Sequence, residues 1–319
     1  LVSTEEVGME MNHKLNLDGF LIFDGAMGTM LQSYGMKAGE LAESYNLERA
    51  EVIAGIHRAY IEAGAQVLTT NTFSANRFKL AGTGLDQAAV IRTAVEIARW
   101  AAEDNLVALD IGPLGQLMEP YGTLSFDAAY EAFAEQIQVG AAAGADLILI
   151  ETMSDPYEAK AAILAARENA DLPIICTMTF QEDGRTLTGA DPLTMVNILQ
   201  SLGVSALGFN CSLGPKEILP LVQEALKFTR VPVIVQPNAG LPQLIGEETV
   251  FQITPADFAA YGREMAAAGV RILGGCCGTT PAHIKALKEV LAEVKPVATK
   301  APRFTAASSA TTTVTLGGP

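Results

Sequence analysis

The stretch AAGADLILIET, Ala142 to Thr152, contains the pattern that decides the fold. A helix-type segment ends at a glycine, and a short apolar run follows at once and closes on polar residues. The segments EAGAQVLTT (Glu62–Thr70), SLGVSALGFN (Ser201–Asn210) and AAGVRILGG (Ala267–Gly275) have the same order. Each one predicts a helix that stops at a glycine and a strand that begins a few residues later.

Strand-like and helix-like segments alternate along the whole chain. The predicted strands are Phe20–Phe23, Gln66–Asn71, Val107–Ile111, Asp146–Glu151, Pro173–Phe180, Ser205–Asn210, Pro232–Gln236 and Arg271–Gly274. The predicted helices are Glu51–Ala63, Asp86–Ala102, Phe126–Ala143, Asp155–Asn169, Pro192–Leu202, Pro215–Phe228, Pro255–Ala268 and Pro281–Val294. Asp191, Thr254 and Thr280 each precede a proline, which is the sequence of a capped helix start.

Strict alternation predicts an α/β fold with a parallel sheet and crossover helices. Eight units in about 280 residues favour a closed (β/α)8 TIM barrel. The alternative is a doubly wound open sheet, but no GxGxxG follows the first strand. We expect one barrel domain over residues 16–295, an N-terminal extension over residues 1–15, and a disordered or linker-like C-terminal tail over residues 296–319.

The charge and the hydropathy pattern exclude several classes of partner. The formal net charge is −15 and the pI is about 4.6, so phosphates of nucleic acid and anionic membrane surfaces would be repelled. The longest apolar runs, such as Leu147–Ile150, are far too short to cross a bilayer. The acidic N-terminus lacks the pattern of a signal peptide. We expect a soluble, cytoplasmic protein with no nucleic-acid or membrane partner.

The cysteines indicate a metal site at the end of the barrel where active sites lie. Cys211 follows the sixth predicted strand, and Cys276 and Cys277 follow the eighth, so the three thiols could converge on one zinc ion. The alternatives are buried apolar cysteines, a strained bridge between the adjacent pair, or a redox pair, which more often has the spacing CxxC. Cys176 lies within the fifth strand and is predicted to be a core residue.

Two acids also lie at strand ends, Asp24 after the first strand and Glu151 after the fourth. Carboxylates in a barrel mouth bind a cation, a metal or a proton. The glycine-flanked turn after Asp24 could present backbone N–H groups to a carboxylate. The three histidines, His13, His57 and His283, lie away from the strand ends and are expected to be surface or core residues rather than catalytic bases.

Six segments resemble the motifs of the homocysteine S-methyltransferase family: DGAMGTML (Asp24–Leu31), TTNTFSANR (Thr69–Arg77), IETMSD (Ile150–Asp155), GFNCSLGP (Gly208–Pro215), QPNAG (Gln236–Gly240) and GGCCGTTPAHI (Gly274–Ile284). Within the family, the chain resembles most the N-terminal homocysteine-binding modules of cobalamin-dependent members. The resemblance runs from about residue 16 to residue 294. It implies a (β/α)8 barrel that transfers a methyl group to homocysteine and gives methionine.

The resemblance also implies the site residues. Zinc would be held by Cys211, Cys276 and Cys277, and homocysteine would bind through its sulfur as a zinc thiolate, with no further catalytic side chain. The substrate-binding residues that the resemblance implies are Asp24 and Glu151 for the amino group, the N–H groups of Gly25 and Ala26 for the carboxylate, and Asn238 for the open zinc position when substrate is absent.

The methyl donor implied by the closest resemblance is methylcobalamin, carried by a cobalamin-binding module or a corrinoid protein. A betaine donor would need an aromatic cage, whereas Trp100 lies in a predicted helix and Thr152 follows Glu151. Three alternatives stay open: S-methylmethionine as donor, a corrinoid protein with another methyl source, and a homocysteine-binding module that is inactive without further domains. A metal-independent aldolase would need a lysine at a strand end, and Lys79, Lys160 and Lys216 lie elsewhere.

Overall fold

A computed structural model describes residues 17–37, 39–246, 248–297 and 305–316 of the chain. The predicted extension over residues 1–15, together with His13, lies outside these residues. None of the helices in the described ranges is long and apolar enough to cross a membrane. The outer bounds of the domain stay a prediction.

Twelve strands are present in the described ranges: Leu21–Ile22 (β1), Val67–Thr69 (β2), Leu106–Ile111 (β3), Leu147–Met153 (β4), Ile174–Met178 (β5), Ala206–Asn210 (β6), Val233–Gln236 (β7), Gln243–Ile245 (β8), Glu248–Val250 (β9), Ile272–Leu273 (β10), Ala306–Ser308 (β11) and Thr313–Thr315 (β12). Eight of them form one parallel sheet in the order β1-β10-β7-β6-β5-β4-β3-β2. A parallel bridge between Phe23 and Val67 joins its two outermost strands. The sheet is therefore a closed barrel, and the prediction of a (β/α)8 fold over an open sheet is confirmed.

The helices surround this barrel: Gly28–Ser33 (α1), Tyr45–Glu48 (α2), Ala50–Ala63 (α3), Gln87–Ala102 (α4), Phe126–Ala142 (α5), Pro156–Asn169 (α6), Pro192–Ser201 (α7), Pro215–Ala225 (α8), Pro255–Ala268 (α9) and Pro281–Leu291 (α10). The predicted caps are present. Asp191 accepts from Thr194 N at 2.8 Å, and Thr280 forms a capping box with His283. A capped proline fixes where each of these helices begins.

The predicted glycine stops have the backbone conformation that such stops require. Gly64, Gly144, Gly203 and Gly269 all have positive φ, between 80° and 120°. A residue with a Cβ adopts this left-handed conformation only at a cost, whereas glycine does so freely. The chain can therefore turn from the end of each helix directly into the next strand.

The core has two layers, as the period-2 alternation of buried strands requires. Inward-pointing residues, including Phe23, Val67, Ala108, Leu149 and Ile234, fill the barrel interior. Residues on the outer face of the sheet pack against the helices in a larger apolar cluster. The interior is thus solid below the carboxyl ends of the strands, so polar side chains can gather only at the mouth.

The structure differs from the sequence-based expectation in the tail. The described tail segment 305–316 forms the antiparallel hairpin β11–β12 against α7, and Asn197 Nδ2 donates to Ser308 Oγ at 2.7 Å. Thr313 Oγ1 donates to Thr194 Oγ1 at 3.1 Å. Three-residue strands are too short to show a period in the sequence, and hydroxyl hydrogen bonds rather than apolar burial hold this hairpin.

Candidate metal and substrate site

The three predicted metal ligands converge at the barrel mouth. Cys211 follows β6, Cys276 and Cys277 follow β10, and their sulfur atoms all lie within 4.8 Å of one another. The Sγ atoms of Cys211 and Cys277 are 4.0 Å apart. Tetrahedral zinc with bonds of about 2.3 Å would place its sulfur ligands about 3.8 Å apart. The spacing and the chemistry of these thiols therefore fit a zinc ion, and all four cysteines of the chain are free thiols.

The loop after β7 connects the two cysteine-bearing loops. Cys211 N donates to Gln236 O at 3.1 Å, and Cys276 N donates to Pro237 O at 2.9 Å. The Cys277 carbonyl accepts from Ala239 N at 2.9 Å. Cys211 itself has φ +57°, an uncommon conformation for a residue with a side chain. These bonds and this turn direct the three sulfurs to one point.

The glycines beside the cysteines act differently from one another. The sequence predicts that Gly274, Gly275 and Gly278 let the backbone bend, but only Gly278 has positive φ, at +77°. The other two allow close approach instead. A Cβ on Gly275 would lie 2.4 Å from Thr279 Oγ1, and one on Gly274 would lie 2.7 Å from Phe23 Cβ. Van der Waals contact, rather than backbone conformation, requires glycine at those two positions.

The three thiols share one negative charge. Hydrogen bonds from the Cys276 and Cys277 thiols lower the pKa of Cys211 to about 3. The same bond to Cys211 raises the pKa of Cys277 to about 12, and the pKa of Cys276 is raised as well. Bringing a second charge so close to the first is opposed by Coulomb repulsion. A divalent cation would remove this opposition, as expected for a set of metal ligands.

Asp24 is buried beside β2. Its two carboxyl oxygens accept from Thr69 N and Thr69 Oγ1, both at 2.8 Å. Burial raises the pKa of Asp24 to about 7, although the bonds from Thr69 oppose this shift. A carboxyl with such a pKa gains a full charge readily when a cation approaches it.

Glu151 is oriented by Asn210, the last residue of β6. Asn210 Nδ2 donates to Glu151 Oε2 at 3.3 Å and to Thr152 Oγ1 at 2.7 Å. Asn210 Oδ1 accepts from Thr152 N and Thr177 Oγ1, both at 2.8 Å. Burial, followed by the charges of Cys211 and Asp24, raises the pKa of Glu151 to about 8. The acid therefore lies near both the sulfur cluster and Asp24.

The turn after Asp24 is held by buried groups from other parts of the chain. Ala26 N donates to Thr279 Oγ1 at 3.1 Å, and Tyr60 Oη donates to Ala26 O at 2.9 Å. A Cβ on Gly25 would lie 2.6 Å from Thr279 Oγ1, so the turn packs directly on the loop that carries the cysteines. The Ala26 N–H, predicted to receive a carboxylate, thus has a partner within the protein.

Asn238 lies next to the sulfur cluster. Its backbone N–H donates to Leu213 O at 3.1 Å, and its side chain hydrogen-bonds to Cys211. Asn238 Oδ1 is buried and has no hydrogen-bond partner among the described residues. This oxygen is available to a ligand at the cluster.

The remaining cysteine and the described histidines lie outside the site. Cys176 is buried in β5 among apolar residues. His57 is buried within α3, and His283 caps α10 while its Nε2 contacts Ile253 O at 2.9 Å. Their predicted exclusion from the strand ends is confirmed.

Four supporting residues were not singled out from the sequence, namely Tyr60, Thr69, Asn210 and Thr279. Asn210 stands at a strand end and could have been found there. Thr69 and the others are recognisable only through contacts with distant parts of the chain. Asp110 also stands at a strand end, where burial and the charges of Glu151 and other acids raise its pKa well above its usual range.

The fold and the site define a closed (β/α)8 barrel with three thiols and two acids of raised pKa at the carboxyl ends of its strands. A family model described as homocysteine S-methyltransferase matches residues 21–291. The chain therefore belongs to the homocysteine S-methyltransferase family, a family of methyltransferase enzymes.

Known relatives are consistent with this membership. The chain is 33% identical over 298 residues to methionine synthase of Mycobacterium tuberculosis (strain ATCC 25618 / H37Rv), and the match covers 86% of this chain and 25% of that protein. The chain thus spans about a quarter of that relative. The metallated form of the homocysteine methyltransferase MmuM from Escherichia coli has a TM-score of 0.74 and 29% identity, covering 88% of this chain and 99% of that one. The oxidized form of the same protein has a TM-score of 0.73 and 29% identity, and the match covers 85% of this chain and 95% of that one.

Proposed function

We propose that this chain transfers a methyl group to the thiol of homocysteine and forms methionine, with a zinc ion held by Cys211, Cys276 and Cys277. The observation that carries the proposal is the convergence of three thiols within 4.8 Å at the mouth of the barrel, beside two acids with raised pKa values. Bound zinc would keep a substrate thiol deprotonated at neutral pH, so that it is nucleophilic without a histidine base.

Asp24 and Glu151 bind the amino group of the substrate in this proposal. Asp24 is buried and Glu151 is half-buried, and both have raised pKa values, so their protonated forms are favoured in the absence of a cation. The arriving ammonium group favours their ionised forms. Asn210 keeps Glu151 in place through its hydrogen bond, and Thr69 does the same for Asp24. These contacts fix the distance between the amino group and the sulfur cluster.

The carboxylate of the substrate binds to the N–H groups of Gly25 and Ala26. Ala26 N now donates to Thr279 Oγ1, so the substrate replaces that hydroxyl as acceptor. Asn238 takes the open zinc position when substrate is absent, because its side chain lies against Cys211 and its Oδ1 has no partner among the described residues. The sulfur–carbon bond then forms as the bond between methyl group and donor breaks, and the thiol proton has already left to solvent.

The proposed donor is methylcobalamin on a cobalamin-binding module or on a corrinoid protein. The support is the similarity to methionine synthase, of which this chain matches a quarter. A second candidate is a free-standing enzyme with a small donor such as S-methylmethionine. It is supported by the match to 99% of the length of MmuM. A reducing compartment such as the cytoplasm suits either function, since neighbouring thiols remain reduced there.

The experiment is a methionine-formation assay with the zinc-loaded chain, homocysteine and one donor at a time. Methionine from free methylcobalamin supports the first candidate, and methionine from S-methylmethionine supports the second. A chain that binds homocysteine but uses neither donor acts as a binding module that needs further domains. Absence of both zinc and homocysteine binding would refute the proposal, and Cys276→Ala should abolish both.

A further inference from the structure

Asp110 is a buried acid that the proposed function does not use. It lies in β3 two residues after Ala108, which belongs to the barrel interior, so its side chain also points inward. Asp110 is 4% exposed, and its Oδ1 has no hydrogen-bond partner in the described part of the chain. Such a group is costly unless a ligand completes its contacts.

None of the ion pairs found among the described residues involves Asp110. The charge of Lys79 acts on Asp110, but Lys79 Nζ donates to Ser74 Oγ at 3.3 Å and lies over the ring of Phe73. The charges of Glu151, Glu43 and Asp24 also act on Asp110, which makes its ionisation still less favourable.

Asp110 lies on the barrel wall between the two proposed ammonium ligands. Asp24 follows β1 and bonds to Thr69 on β2, while Glu151 lies on β4. The strand between β2 and β4 is β3, and Thr69 pairs in register with Ala108. Asp110 is the next inward-pointing residue above that pair, so three acids follow one another around the wall.

Two further buried acceptor atoms that follow strand ends have no hydrogen-bond partner among the described residues. They are Gln236 Oε1 and Asn238 Oδ1, and both residues are only 3% exposed. Gln236 comes from β7, on the opposite side of the barrel from β3, and is independent of the acidic cluster. A set of free acceptors favours a ligand rich in donors over an anionic one.

A primary ammonium group has three N–H donors, and two carboxylates leave one of them without a charged acceptor. A buried charged donor without a partner weakens binding strongly. We propose that Asp110 is the third acceptor, so that Asp24, Asp110 and Glu151 together surround the ammonium group of the amino-acid substrate. This inference rests on the proposed function and makes Asp110 a residue that selects for an amino group.

The test measures calorimetric binding of two thiols to the zinc-loaded protein: homocysteine, and 4-mercaptobutanoate, which lacks only the amino group. Asp110→Asn preserves the shape of the side chain but cannot become ionised when the ammonium group arrives. We expect the dissociation constant for homocysteine to rise at least about tenfold, because a charge-assisted hydrogen bond is lost. The constant for 4-mercaptobutanoate should change less than about twofold.

Glu158→Gln is the matched control. Glu158 is also a buried acid with a raised pKa, but it lies in α6 and accepts from Leu114 N at 2.8 Å. Its replacement should leave the preference for homocysteine unchanged. Asp110→Ser is a second variant that should lose the preference as Asp110→Asn does, and zinc content and thermal unfolding confirm that each variant is folded.

Two results separate the possible failures. If Asp110→Asn or Asp110→Ser keeps the wild-type preference for homocysteine, or weakens the binding of both thiols equally, the role assigned to Asp110 is wrong while the proposed function stands. If the zinc-loaded wild-type protein binds neither thiol, the proposed function itself is wrong.

Discussion

Zinc binding to the metal-free protein should release about two protons per ion at pH 7.5. The cluster already contains one thiolate, because two thiol hydrogen bonds lower the pKa of Cys211 to about 3. The pKa of Cys277 is raised to about 12, and that of Cys276 is raised too, so both keep their protons. All three sulfurs must be deprotonated to hold the ion, so two protons leave. The apparent zinc affinity should therefore rise about a hundredfold per pH unit near neutrality.

Titration calorimetry in buffers of different ionisation enthalpy measures this number directly. The slope of the observed heat against the buffer enthalpy gives the protons released. Cys277→Ser leaves one thiolate and one thiol, so the variant should release about one proton and bind zinc more weakly. Release of three protons by the wild-type protein would show that no thiolate exists before zinc binds, and would refute the shared-charge description of the cluster.

Three further predictions concern a buried histidine outside the site and two residues within it. Burial lowers the pKa of His57 from 6.5 to about 4, so the unfolded chain binds a proton at this residue before the folded protein does as the pH falls. The free energy of unfolding in urea should therefore fall by about 2 kcal/mol between pH 7 and pH 5, and the His57→Leu variant should lack this loss. The same pH dependence in both proteins would contradict the prediction. Asn210→Ala removes the hydrogen bonds that hold Glu151 and Thr152 in β4, so the KM for homocysteine should rise at least about tenfold with zinc content retained. An unchanged KM would refute that positioning role. Gly278→Ala would place Cβ 2.2 Å from Phe251 Cγ and should lower the zinc affinity about tenfold or more. The control is Gly82→Ala, which has nearly the same φ (+78°) but no described atom within 4 Å of the new Cβ, and it should leave the zinc affinity unchanged. Equal effects of the two substitutions would show that backbone strain alone matters.

Local patterns in the sequence were sufficient to predict the barrel. The glycine stops at Gly64, Gly144, Gly203 and Gly269, and the capped prolines, act within a few residues, so their signals survive in the linear sequence. The predicted helix Pro255–Ala268 has the bounds observed for α9. The hairpins β8–β9 and β11–β12 were missed, because three-residue strands carry too few side chains to show an alternation.

The site was predictable as far as strand ends can be recognised. Cys211, Cys276 and Cys277 were placed correctly because parallel strands bring their carboxyl ends to one face. The contacts of Tyr60 with the turn after Asp24 depend instead on how the closed barrel stacks distant loops. Contacts of this kind join residues at no fixed spacing, so they cannot be recognised from the sequence. The reasons for glycine beside the cysteines likewise became clear only when the neighbouring side chains were located.

The central claim is that three protein sulfurs and the substrate sulfur share one zinc ion. X-ray absorption at the zinc edge, on protein loaded with one equivalent of zinc, counts the sulfur neighbours with and without homocysteine. We predict three sulfurs and one lighter ligand before addition, and four sulfurs afterwards. A sulfur count that stays at three when homocysteine is bound would contradict the claim.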